Sequence, residues 1–408
     1  MPSFDEILAK PSVFMDRNVL SPNYIPATLP FREREIERIM KVISPALKGQ
    51  QPHNLFIYGK TGTGKTASVK HVMKEFDAMK NKNARICYVN CRMYNTRYRV
   101  IQKVAKSFMQ ELDKAGFGLP FIYEKLIEWI NDNKVRLIIV LDEIDMVRDL
   151  DDLIYSLTRM NDELKRGGVS LIGISNKLSF KEGLDSRSKS SLYETEMVFA
   201  PYTAVQLQEI LKQRALKGFK KGAITASAIN LAAAITAQET GDARYALRLL
   251  LRAGEIADDK NNKVVTDEEV EAARRCVEED LAAEIISTLP DHQQLVLLSI
   301  AELMIKGSRY KKISDSGEKD VLFSGEVYEG YEKLCKKYSK HPRTTRWLRD
   351  YLNDLEMLGL ITLTTSGKGV RGHTRFIKLG YPPESIRKIV LKLLERPIIP
   401  EKKMTTGR

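Results

Sequence analysis

The stretch "NLFIYGKTGTGKTASVK", Asn54 to Lys70, decides the fold. Its first residues are a short apolar run that reads as a strand, and its last residues favour a helix. Between them Gly59, Gly64, Lys65 and Thr66 satisfy G-x-x-x-x-G-K-[ST] in the one context that gives the motif meaning. The loop Gly59, Lys60, Thr61, Gly62, Thr63, Gly64, Lys65, Thr66, Ala67 is therefore expected to cradle phosphates with backbone N–H groups at a helix N-terminus. In that role Lys65 reaches the β- and γ-phosphates, and Thr66 offers its hydroxyl to Mg²⁺. The motif predicts a bound nucleoside triphosphate, but not what the nucleotide is for.

Outward from the loop, residues 53–199 alternate strands and helices, the pattern of a parallel α/β sheet. "ARICYVN" (84–90), "VRLIIVLDEID" (135–145) and "VSLIGISN" (169–176) read as further strands. Asp142 and Glu143 end the most apolar of these. Beside a phosphate loop, Asp142 is placed to hold Mg²⁺ directly or through water, and Glu143 to deprotonate an attacking water. Asn176 ends the next strand, where its amide is placed to orient that water or touch the γ-phosphate.

The strands stop after Pro201. Amphipathic helices follow to about Leu289, the last opening at "TDEE", where Thr266 and Glu269 have capping-box spacing. From Pro290 three helices lead into "LITLTTSGKGVRGHTRFIKLG", two short strands joined by a basic hairpin, which together make a winged helix. The expected layout is an N-terminal tail (1–16), a nucleotide-binding α/β domain (17–199), an all-α lid (200–289), a winged helix (290–396) and a C-terminal tail (397–408).

Composition narrows the partners. The net charge is +13, and residues 290–408 carry 23 Lys/Arg against 14 Asp/Glu, so the last third holds most of the excess. Such asymmetry points to a polyanion held by the C-terminal part. "KLCKKYSKHPRTTRWLR" (333–349) has seven Lys/Arg and no acid. On its third helix Leu348, Leu352, Leu355 and Leu358 mark the packed side. Lys340, Arg343, Thr344, Thr345, Arg346 and Arg349 stand clear of that stripe, at the end that normally enters a major groove of double-stranded DNA. Lys368, Arg371, His373 and Arg375 on the hairpin are placed for an adjacent minor groove. The four cysteines form no metal-ligand spacing and read as reduced thiols of an intracellular protein. The longest aliphatic run, "LIIVL" (137–141), is far short of a membrane span, so no membrane partner is expected.

The glycine loop, "LIIVLDEID", "LIGISN" and "GDARYALRLL", in this order, resemble an AAA+ ATPase with its helical lid. "NYIPATLPFREREIERI", "LDSRSKSSL", "FAPYTAVQLQEILKQRA" and the terminal winged helix make the chain similar to the archaeal replication initiators related to the origin recognition complex and the cell-division-control loader. The resemblance spans about residues 17–396. It implies ATP/ADP as the nucleotide and an adenine pocket lined by Tyr24, Ile25, Pro26 and the segment to Arg32. It implies contacts to nucleotide from Tyr202, Arg214 and Arg244 of the lid, and a catalytic arginine finger, Arg187, offered to a neighbouring subunit. Ser186 and Ser188 depart from the proline and valine expected around that finger. The segment 114–126 is shorter than the family's insertion, which helps grip DNA.

The resemblance further implies origin DNA, the replicative MCM helicase and paralogous initiators as partners, and a cytoplasmic, nucleoid-associated protein that is monomeric until it assembles on DNA. Hydrolysis would be slow, the nucleotide state acting as a switch. Two alternatives share the parts list: a ring-forming motor of branch-migration type, and a nucleotide-switched transcription regulator.

Overall fold

The computed structural model describes residues 11–22, 24–113, 116–177, 184–192, 194–307, 322–365 and 375–395. The chain divides into two compact units, residues 1–271 and 272–408.

The first unit is built on five parallel strands: β1 (Asn54–Tyr58), β2 (Ala84–Asn90), β3 (Arg136–Asp142), β4 (Gly168–Ser175) and β5 (Glu194–Val198). Their order is β2-β3-β4-β1-β5. Every residue of β4 is buried, as a strand covered by helices on both faces must be. One face packs on α3 (Arg97–Lys106), α4 (Leu119–Asn133) and α5 (Leu150–Glu163). The other packs on α1 (Glu33–Ile43) and α2 (Lys65–Ala78). The register brings the ends of β1, β3 and β4 to one edge, with Tyr58 opposite Ser175 and Asp142 opposite Ile174. Parallel sheets place their sites at that carboxyl edge.

β5 is a strand that apolar patterning does not announce. "ETEMV" pairs along β1 from Asn54↔Glu194 to Tyr58↔Val198, but as an outer strand it turns Glu196 and Val198 to solvent while Met197 is buried. A short helix, α6 (Ser186–Leu192), precedes it.

Four lid helices complete the unit: α7 (Ala204–Gly218), α8 (Ala226–Glu239), α9 (Ala243–Asp259) and the start of α10 (Asp267–Ser287). Thr203, Thr225 and Asp242 accept the first free N–H groups of α7, α8 and α9 through their side chains. At α10 the Thr266 N–H donates to the Glu269 carboxylate at 3.0 Å, as the spacing predicts. Residues 12–16, expected in a tail, instead belong to the lid. Phe14 is buried against the ring of Phe219, and Asp258 accepts from the Ser12 hydroxyl and the Val13 N–H.

The second unit holds α11 (Asp291–Lys306), β6 (Leu322–Phe323), α12 (Ser324–Lys337), α13 (Thr345–Met357), β7 (Ile361–Thr365), β8 (Arg375–Leu379) and α14 (Pro383–Leu394). The three strands form an antiparallel sheet in the order β6-β8-β7, so the expected hairpin gains a third strand and a closing helix. Leu348, Leu352 and Leu355 of α13 are buried, but Leu358 is 40 % exposed. The helix ends at Met357 and Gly359 turns the chain with φ 71°, which takes Leu358 off the buried stripe. Among the described residues no helix is long and apolar enough to cross a membrane, and all four cysteines are free thiols.

Candidate nucleotide site and nucleic-acid face

A cavity of about 300 Å³ lies at the carboxyl edge of the first unit's sheet. The loop from Thr61 to Ala67 forms its floor. The loop's shape depends on two glycines. Gly62 has φ 66° and a Cβ there would collide with the Asp242 carboxylate; at Gly64, with φ 92°, it would meet the Tyr202 hydroxyl at 2.7 Å. Any side chain at either position would fill the space between loop and lid.

Lys65 is 5 % exposed and fully occupied. Its ammonium donates to the Gly59 and Lys60 carbonyls at 2.7 Å each and to the Asn176 amide oxygen at 2.8 Å. Burial lowers its pKa to about 8, with Asp142 pulling the other way and Arg244 adding to the decrease. The Thr66 hydroxyl donates to Asp142 at 3.0 Å. Glu143 follows with φ 54°, a left-handed backbone that costs a non-glycine residue about 1–3 kcal/mol. That turn takes its side chain out of the strand's alternation and onto the cavity wall.

The remaining walls come from distant segments. Tyr24, Ile25 and Pro26 line one side, and Tyr202, Arg214 and Arg244 approach from the lid. Arg214 donates to the Val19 and Tyr24 carbonyls at 3.0 and 3.1 Å, and its guanidinium stands 4.7 Å from the Tyr24 ring centroid. Arg244 is exposed on the first turn of α9, whose cap Asp242 leans on the glycine loop; there the Ala243 N–H donates to the Gly62 carbonyl at 3.2 Å.

Arg32 differs from expectation: it does not line the cavity. It is 4 % exposed and donates to the Thr63 carbonyl at 2.8 Å, the Ala200 carbonyl at 2.6 Å and the Glu35 carboxylate at 3.0 Å. Its guanidinium lies 4.1 Å from the Tyr202 ring centroid. Arg32 thus braces the loop from behind. Arg187 lies on α6, but its side chain falls outside the described residues.

Sequence reasoning missed other wall residues. Ile210, Gln213 and Lys217 share a face of α7 with Arg214, and Lys70 lies one turn after Thr66 on α2. Helical spacing from a known member would have found all four. It also missed Tyr88 of β2, whose hydroxyl donates to Asp142 at 2.6 Å. Burial, with the Asp142 hydrogen bond and charge adding to it, pushes the Tyr88 phenol above its ordinary range, so it stays a donor. Its signal is strand register: Asn90 pairs with Asp142 and Tyr88 with Val140, on the same face.

These residues fit Mg²⁺ and a triphosphate. A hard cation asks for oxygen ligands and keeps several waters, so one carboxylate, one hydroxyl and phosphate oxygens suffice. Thr66 and Asp142 supply the first two, and the cavity opens on the first turn of α2, whose leading N–H groups have no partner within the helix.

In the second unit, Arg343, Thr344, Thr345, Arg346 and Arg349 are all exposed at the start of α13. Among the described residues none of the three arginines makes an ion pair. Thr344 caps α13 without a side-chain bond. Lys340 is different, being paired with Asp291. The backbone before the helix is pinned. The Arg343 N–H donates to the Tyr331 hydroxyl at 3.1 Å, and the Tyr328 hydroxyl donates to the Arg343 carbonyl at 3.1 Å. Tyr331 also bonds His292 Nδ1 at 2.8 Å. Trp347, 51 % exposed beside these arginines, was not foreseen. Lys368, Arg371 and His373 lie outside the described residues; Arg375 opens β8, its side chain likewise outside them.

Comparison with known proteins agrees in each segment. An AAA domain family model matches residues 48–179, the Cdc6 AAA+ ATPase-type lid domain residues 208–275, and the CDC6 C-terminal winged helix domain residues 284–389. The ORC1-type DNA replication protein 1 of Archaeoglobus fulgidus is 40 % identical over 396 residues, 96 % of this chain and 93 % of that one. The ORC1-type DNA replication protein of Thermococcus kodakarensis is 40 % identical over 95 % of this chain and 92 % of its own length. The solved structure of the Aeropyrum pernix ORC1 protein in complex with DNA is similar at a TM-score of 0.76 and 38 % identity, over 93 % of this chain and 97 % of that one.

Proposed function

The chain belongs to the family of ORC1-type DNA replication proteins, and from that premise we propose that it is an ATP-switched initiator that binds origin double-stranded DNA and helps recruit the replicative MCM helicase. One observation carries the switch: loop residues Lys65 and Thr66, strand-end Asp142 and Glu143, and lid residues Tyr202, Arg214 and Arg244 converge on one cavity. A ligand touching both loop and lid biases the angle between them, since only differential contact with two states shifts an equilibrium.

Bound Mg²⁺–ATP supplies the phosphoanhydride and the cation that neutralises its charge. Lys65 exchanges its carbonyl acceptors for phosphate oxygens. Asp142 and Thr66 hold the cation, Tyr24 to Pro26 with Arg214 enclose the base, and Arg244 reads the γ-phosphate. Glu143 takes the proton of an attacking water that Asn176 orients, and the resulting hydrolysis, slow in this reading, resets the switch. Arg187 serves a neighbouring subunit once copies or paralogous initiators assemble on DNA.

DNA is held by Arg343, Thr344, Thr345, Arg346 and Arg349 in a major groove, with Lys368, Arg371, His373 and Arg375 of the wing reaching the adjacent minor groove. That a relative 38 % identical was solved in complex with DNA supports DNA as the ligand. Mapping chromosomal binding sites tests the reading. The expected result is binding concentrated at a few replication start sites, reduced when Lys65 is replaced by Ala. Binding spread over promoters overturns it in favour of transcription control.

A further inference from the structure

The proposed cation site has a carboxylate, Asp142, whose orientation needs a cause. Three groups donate to it: the Tyr88 hydroxyl to Oδ2 at 2.6 Å, the Glu143 N–H to Oδ1 at 3.1 Å, and the Thr66 hydroxyl to both oxygens at 3.0 and 3.2 Å. When the Thr66 oxygen turns a lone pair to a cation, its single proton is left to donate to one carboxylate oxygen at most. The two donors that are not themselves cation ligands are a backbone N–H and Tyr88. A single N–H on Oδ1 leaves the carboxylate free to rotate about its Cβ–Cγ bond, whereas a second donor on Oδ2 fixes its plane.

Tyr88 is itself held. It stands on β2 in register with β3, and the Lys70 ammonium lies 4.7 Å from its ring centroid. A cation over a phenol ring draws electron density from it and makes the hydroxyl a stronger donor. Lys70 also lines the cavity.

Resting on the nucleotide-site reading above, we propose that Tyr88 is a positioning residue for the cation: it fixes the plane of Asp142, with Lys70 strengthening its hydrogen bond, and so sets the affinity for Mg²⁺ and not that for nucleotide alone. Outer partners of metal ligands are typically worth about ten- to a hundredfold in metal affinity.

The test uses the full-length chain and a fluorescent ATP analogue, titrated in EDTA and then with increasing Mg²⁺. Tyr88→Phe keeps the ring and removes one hydroxyl. The expected result is an unchanged affinity in EDTA and a Mg²⁺ midpoint raised about tenfold or more. Lys70→Gln leaves the hydroxyl in place and raises the midpoint by a smaller factor. A Tyr88→Phe midpoint within twofold of the parent, or loss of the EDTA affinity itself, overturns the proposal; so does a rise in Lys70→Gln that equals or exceeds it. A parent chain that binds no nucleotide refutes the site reading, while one that binds it with a Mg²⁺ midpoint shared by Tyr88→Phe refutes the role of Tyr88 only.

Discussion

The nucleotide cavity and the leading end of α13 use positive charge in opposite ways. Lys65, Arg32 and Arg214 are nearly buried, and the protein's own oxygens occupy their donors. Arg343, Arg346 and Arg349 are exposed and make no ion pair among the described residues. A buried cation works by geometry: it has a fixed set of partners, and removing it strands them. An exposed one works by number, since each phosphate it neutralises releases counterions whatever its neighbours do. Substitutions should therefore act as a unit in the first region and add up in the second.

Lys65→Ala should break the cavity outright. Two charge-assisted bonds to phosphate, at about 1.5–3 kcal/mol each, correspond to a loss of about two to four powers of ten in nucleotide affinity. Calorimetric titration measures it, and a loss below tenfold would contradict the assignment of the loop.

Glu143→Gln probes the same wall without touching charge on the floor. Single-turnover hydrolysis should fall about a hundredfold or more, the usual worth of a general base, while nucleotide affinity stays within about twofold. Joint loss of both would make Glu143 a structural residue.

For the exposed region, Arg343→Ala, Arg346→Ala and Arg349→Ala should each weaken DNA binding several-fold. Each should also reduce the slope of log K against log salt by about 0.9 for every phosphate that is no longer neutralised. The triple substitution should show the sum. A single substitution that removes the whole slope would mean this face, too, works as a unit.

A last probe of the cavity is the effect of pH on Lys65. Burial brings its ammonium down from 10.5 to about 8, and phosphate binds the charged form. Affinity should be flat below pH 8 and fall above it by at most about tenfold per unit. Binding isotherms at pH 7 and pH 9 check the sign.

What the sequence disclosed follows the same division. The glycine loop, the acids after β3 and the basic run 333–349 are contiguous, so local pattern carries them. Arg32 reads as a pocket residue because its partners, Thr63 and Ala200, are 31 and 168 residues away and cannot be inferred from its neighbours. Tyr88 is invisible in the sequence because strand register, not spacing, brings it to Asp142. β5 escapes because an outer strand needs only one apolar face, and Leu358 misleads because the helix stops one residue short of it. The arginines of α13 are legible as charge, but the two tyrosines that pin the Arg343 backbone require the packing of α12.

The contact between Gly62 and α9 has a mechanical consequence. α9 is a rod of 17 residues, about 25 Å at 1.5 Å per residue. Its first cap, Asp242, leans on the glycine loop, and near its far end Asp258 holds Ser12 and Val13. Such a rod is a lever arm. Under the proposed switch, a shift of one peptide plane in the loop would tilt it and carry to the opposite end of the lid, where residues 12 and 13 are fastened. Displacement there would then report phosphate occupancy with no label in the cavity.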